Sequence, residues 1–133
     1  MKTSILFAVA LAALISIPAF AQPSAAPRAC LRFGEIYSWK VLDPKTVVVE
    51  DNWHKKFKMT LMSYCPNLAY RERIGFRSPG SSDLSCMTPG DELLVNQFGT
   101  GAQHCPISSV VTYTPDMERA DAAAKAAKAG LAQ

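Results

Sequence analysis

Residues 37–61 read YSWKVLDPKTVVVEDNWHKKFKMTL, and the fold is decided here. Tyr37, Trp39 and Val41 alternate with Ser38 and Lys40, the period-2 pattern of a half-buried strand. Asp43-Pro44-Lys45-Thr46 is a turn with a mechanism: Asp bonds its own backbone and Pro presets the next dihedral. Thr46 to Glu50 is β-branched and apolar, a second strand and hairpin partner of the first. Asp51-Asn52-Trp53-His54 reads as the next turn. Phe57, Met59 and Leu61 then alternate with Lys58, Thr60 and Met62, giving a third strand with one apolar face.

Downstream the pattern continues in shorter pieces. Pro66 stands where a helix can begin, and residues 67 to 72 have room for one or two turns with Leu68 as the packing residue. Ile74 and Phe76 alternate with Gly75 and Arg77, a short fourth strand. Pro79-Gly80 and Pro89-Gly90 place Pro before Gly, as a type II turn wants. Asp91 to Gln97 supplies a fifth strand through Leu93, Leu94 and Val95. Gly99 and Gly101 read as a flexible loop, and Ile107 to Tyr113 as the closing strand. Beyond Pro115 the chain is alanine-rich with scattered charges. It has helix propensity but no apolar stripe, which predicts a marginal helix or a disordered tail over 115–133. Strands of five to eight residues with frequent turns give a mainly β fold: a small antiparallel barrel-like or sandwich domain with one short helix.

Upstream, Lys2, the apolar run Ile5 to Ile17, Pro18 and Ala19-Phe20-Ala21 follow the order of a cleaved secretory signal. The run is short of the roughly 20 residues a spanning helix takes, so no membrane insertion is expected after cleavage. Cys30 lies well beyond the apolar run, away from the setting of a lipid-modified cysteine. The expected organisation is a signal peptide at 1–21, a flexible Pro/Ala/Ser leader at 22–29, a domain at 30–114 and the tail. The expected location is periplasmic or secreted. The whole chain carries a net charge of +3. Losing Lys2 lowers that by one, too little to argue for nucleic acid or an anionic membrane.

Cys30, Cys65, Cys86 and Cys105 are an even set in a chain marked for export, which reads as two disulfides. Zinc sites bring their ligands in close pairs, and this spacing does not, so no metal and no cofactor is expected. Four cysteines allow three pairings. The favoured one joins Cys30 with Cys105, because first and last strands of a small closed sheet often meet. It then joins Cys65 with Cys86 across the least regular segment. A core drawn from Cys30 to about Tyr113 is marginal without such help. In the chain-entropy model each bridge contributes roughly 3 to 4.5 kcal/mol.

Several short elements recur in order. An opening Cys30 precedes a strand with Trp39. Leu42-Asp43 turns into a β-branched strand. Cys65-x-x-Leu68 follows the third strand, then Cys86-x-x-x-Gly90-Asp91, then Cys105-x-Ile107 at the last. Over about residues 30–114 the chain thereby resembles a family of short exported bacterial proteins carrying a domain-of-unknown-function label. The resemblance implies export, small size and paired cysteines, and no activity, cofactor or catalytic residue.

The residues that could carry chemistry each have a plainer reading. His54 and His104, the two imidazoles, could act as acid, base or ligand, but loop histidines without a role are commoner. Asp91 could bind a cation or serve as a base; bonding the amides of its own turn is the favoured alternative. Trp53, Lys55, Lys56 and Lys58, with Arg71, Arg73 and Arg77 nearby, could grip an acidic polymer. Strand lysines more often face solvent and block edge-to-edge aggregation. Three functions follow: a non-catalytic envelope module binding a partner protein or small ligand, a small hydrolase or metal-dependent enzyme built on His54, His104 and Asp91, or a binder of acidic polymer through Trp53–Lys58.

Overall fold

The computed structural model describes residues 29–70, 73–80, 84–97, 99 and 101–132. The expected signal peptide and nearly all of the leader lie outside the described residues, as do Arg71 and Phe98. Six strands run in order: β1 (Ile36–Asp43), β2 (Thr46–Asp51), β3 (Lys56–Leu61), β4 (Ile74–Arg77), β5 (Glu92–Gln97) and β6 (Gly101–Thr112). Helix α1 (Pro115–Leu131) follows. All pairings are antiparallel, in the spatial order β1-β2-β3-β6-β5-β4. The result is a mainly β half-barrel, a curled sheet left open between β1 and β4.

The curl is made by β6. Its first half, Gly101 to Pro106, pairs with β5, and its second half, Ile107 to Thr112, pairs with β3. Pro106 has no N–H to give a ladder, and a register shift between Thr60 and Leu61 bends the strand opposite. The long twelve-residue β6 replaces the loop expected around Gly101, and it places His104 within a strand. β5 supplies the hydrogen-bonding partner that local sequence did not announce.

The inner, concave face carries Val47, Val49, Phe57, Met59, Leu61, Leu93, Val95, Ile107 and Val110, all buried. Leu31 and Met87 close it from the open side. Met87 N–H donates to the Leu31 carbonyl at 2.7 Å, and Arg32 forms a bridge with Cys86. The turns form as their residues dictate. Lys45 N–H bonds the Asp43 carboxylate at 2.8 Å. Gly90 takes φ +99° in a turn closed by Asp91 N–H to Thr88 C=O, where a Cβ would be strained.

The disulfides are Cys30–Cys86 and Cys65–Cys105, which corrects the favoured pairing of Cys30 with Cys105 and Cys65 with Cys86. The premise failed because β1 and β6 do not meet: two strands, β2 and β3, lie between them. Cys105 sits on the inner face opposite Leu93, at the bend of β6, where the loop after β3 delivers Cys65. Both are buried, whereas Cys30 and Cys86 are exposed. The short helix expected after Pro66 is a single 3-10 turn, Leu68–Tyr70, entered through Asn67 at φ +61°.

Candidate binding groove

Helix α1 begins where the sequence gives every start signal. Thr114 caps it, its Oγ1 accepting from Met117 N–H at 3.4 Å, with Pro115 at the first position and Asp116 and Glu118 in the first turn. No residue of the helix is buried. What anchors it to the outer face of the sheet is charge. Lys56 and Lys58, two apart on β3, project outward while Phe57 and Met59 project inward. Glu118 and Asp121, three apart on α1, share one side of the helix. Lys58 Nζ donates to both carboxylate oxygens of Asp121 at 2.8 Å, and Lys56 Nζ to both of Glu118 at 3.3 Å. Tyr113 donates its O–H to Asp121 at 3.0 Å, and the Lys58 ammonium lies 5.9 Å from the Tyr113 ring centre.

These contacts tune the groups that make them. The hydrogen bond from Lys58 holds the Asp121 carboxyl below the usual aspartate range, against an opposing effect of burial. Burial first, and the bond to Asp121 second, push the Tyr113 phenol up to about 12. At neutral pH the pair is thus a carboxylate accepting from an ammonium and a neutral phenol.

Because the helix touches the sheet through side-chain tips, a groove of about 680 Å³ opens between α1 and the β1–β2 hairpin. Ser38 to Pro44, Val48 and Glu50 line it from the sheet. Ala122, Lys125 and Lys128 line it from the helix. Lys56, Lys58 and Glu50 are each engaged, the last with His54. Among the described residues no carboxylate pairs with Lys40, Lys125 or Lys128, so the groove presents three uncommitted ammonium groups.

The residues singled out from sequence are not gathered in one place. Trp53, 68% exposed, and His54 lie in the β2–β3 turn. There the buried Asp51 carboxylate accepts the N–H groups of Trp53 and Lys55, each at 2.9 Å, and His54 takes φ +63°. The His54 Nδ1 is 2.5 Å from Glu50 Oε1, and its ring meets Tyr37 edge-on. Lys55 lies over Phe57. His104 lies on β6 with Nδ1 2.8 Å from Glu92. Phe57, three residues after His54, pairs with Thr112. Eight residues of β6 separate Thr112 from His104, about 27 Å at strand rise. The two imidazoles engage different carboxylates, Glu50 and Glu92, and neither lines the groove. Asp91, 4% exposed, accepts from Ser78 Oγ at 2.6 Å and from Thr88 N–H at 2.7 Å, so its carboxylate holds the Pro89-Gly90 turn. Trp53 and Lys55 stay at the turn while Lys56 and Lys58 face α1, so the Trp53–Lys58 stretch is divided between two surfaces.

Among the described residues no group of three or more His, Cys, Asp and Glu is arranged to hold a metal, and no helix is long and apolar enough to cross a membrane. Tyr113, Glu118, Asp121, Lys125 and Lys128 were not suspected from sequence. A signal was present: basic residues at strand spacing (56, 58) and acidic residues at helical spacing (118, 121) with matching order.

By fold and site the molecule is a small antiparallel β-domain, closed by two disulfides, with a charged groove under a C-terminal helix. The chain belongs to DUF6491, a family of unknown function whose model matches residues 1–130. No curated protein and no solved structure matches it significantly.

Proposed function

We propose that the protein is an exported, non-catalytic envelope module that binds its partner in the groove between α1 and the β1–β2 hairpin. The observation that carries this reading is the groove itself. A helix with no buried residue stands off the sheet on a few ion pairs, and three lysines that pair with no carboxylate among the described residues border the gap. Export is supported by the signal-like order of residues 1–21 and by two disulfides, which persist in oxidising compartments.

Two measurements test the reading. Mass analysis of the protein from a native envelope fraction should give a chain starting at Gln22 with all four cysteines oxidised. A chain retaining Met1, or free thiols at all four positions, removes the export half. A photo-crosslinking side chain placed at Ala124 or Lys40, in the groove, should capture a partner in cells, while one at the exposed Leu84, outside it, should not. Equal capture at all three, or at none, removes the binding half.

A further inference from the structure

We infer that the groove takes an extended peptide of alternating acidic and apolar residues, added to the free edge of β1 as a seventh strand. The inference rests on the groove being the binding surface, and it names the partner's form. Ser38 through Pro44 all line the groove in unbroken succession. With Val48, Glu50 and Lys56 in the lining as well, the cavity lies over the outer face and follows the backbone of β1 for the length of the strand. The free edge of β1 bonds no second strand: among the described residues β2 is the one strand bonded to β1, and the 3-10 turn Leu68–Tyr70 packs near it. An unpaired strand presents a row of N–H and C=O groups ready to receive another chain.

The two ends of the sheet differ in this respect. β4 has four residues and does not line the groove. β1 has eight residues, and its register with β2 is regular from Ser38 to Val41, with shifts on either side. Those shifts limit the ladder to about four residues and so set the size of the segment.

The side chains beside the edge specify what the added strand carries. On the outer side lie Lys40, from β1, and Lys125 and Lys128, one turn apart on α1. The internal pairs Lys56–Glu118 and Lys58–Asp121 cancel within the protein. Two carboxylates of the groove remain against the three lysines: Glu50, beside His54, and Asp43, at the hairpin end, where it holds the Lys45 amide. The outer positions of an incoming strand thus meet surplus positive charge. The inner positions meet Trp39 and Val41, partly buried and packed against the core. Acidic and apolar residues in strict alternation satisfy both sides.

The test is a titration of the isotopically labelled, disulfide-intact protein with Ac-Thr-Glu-Val-Glu-Val-Glu-Val-Thr-NH2, read by amide NMR. Perturbed amides should fall on residues 38–43 and on the α1 segment at Lys125 and Lys128. Two N-methylated peptides, each blocking one set of alternate amides, should behave differently: one loses binding and the other keeps it. Combined Lys40→Glu, Lys125→Glu and Lys128→Glu should weaken binding at least tenfold while leaving the spectrum that of a folded chain, and added salt should weaken the parent complex. Absence of any perturbation overturns the inference. So does equal binding by both methylated peptides, or an affinity the three reversals leave unchanged. If the peptide fails while crosslinks persist at Ala124 and Lys40, strand addition falls and the groove remains the binding surface. If both fail, the groove reading falls with it.

Discussion

The two faces of one sheet are held to their neighbours by different forces. The inner face meets Leu31, Leu68 and Met87 through close-packed apolar side chains, and a buried disulfide, Cys65–Cys105, crosses behind it. The outer face meets α1 through two lysine–carboxylate pairs and one phenol. Burial of apolar area is worth about 25 cal/mol per Å² and is not subject to charge screening, whereas exposed ion pairs contribute about 0.2–1 kcal/mol and are screened. The inner face therefore fixes the fold, and the outer face holds a helix that can be moved at small cost.

The contrast can be broken at four points of decreasing size. Phe57→Ala should cost about 3–5 kcal/mol in denaturant unfolding, because a buried aromatic leaves a cavity under β3. A loss below about 1 kcal/mol would mean the concave face is not the stabilising one. Cys30→Ser with Cys86→Ser should cost about 2–4 kcal/mol. In the wild-type protein this exposed pair should be alkylated first under mild reductant, with Cys65 and Cys105 protected until global unfolding. Simultaneous reduction of both bonds would erase the distinction between the two staples.

Asp121→Asn should cost about 1–2 kcal/mol, since it replaces a charge-assisted bond. It should also bring the Tyr113 phenol down from about 12 towards its ordinary 10; ultraviolet titration of Tyr113 reads this. The sign with pH follows from the same contact. Asp121 has a folded value below its ordinary 3.8, so its contribution is complete above that value and is lost as pH falls through the lower folded one. Protection of α1 amides against hydrogen exchange, corrected for the intrinsic rate at each pH, should therefore fall at acid pH before that of β2 and β3 does. Smallest is Lys56→Ala, expected to change stability by no more than about 0.5 kcal/mol. A larger loss would show that the outer face contributes more than its exposure suggests.

The same contrast governs what was legible in the sequence. Strands β1, β2 and β3 could be read from Trp39, Val47, Phe57 and Met59, because an inward side chain every second residue is a local pattern. The first half of β6 could not, since Gly101, Ala102, His104 and Pro106 offer no alternation and its partner lies on β5. The disulfide pairing depended on strand order in space, which the cysteine spacings do not encode. Helix propensity in the tail was visible, but its docking was not, because a contact between Lys58 and Asp121 spans 63 residues and rests on charge instead of apolar period. Asp91 was readable as a turn holder from the Pro-Gly before it. The groove was not, being a gap between elements whose separation only the folded chain fixes.

The bridges interleave along the chain, 30 with 86 and 65 with 105. An oxidant acting on the chain from its amino end would meet Cys30 and Cys65 before Cys86 and Cys105, the native partner of each, and the bond open to it at that stage is a non-native one. A Cys30–Cys65 bond, once made, reaches the native pairing only when a thiolate reopens it and passes it on.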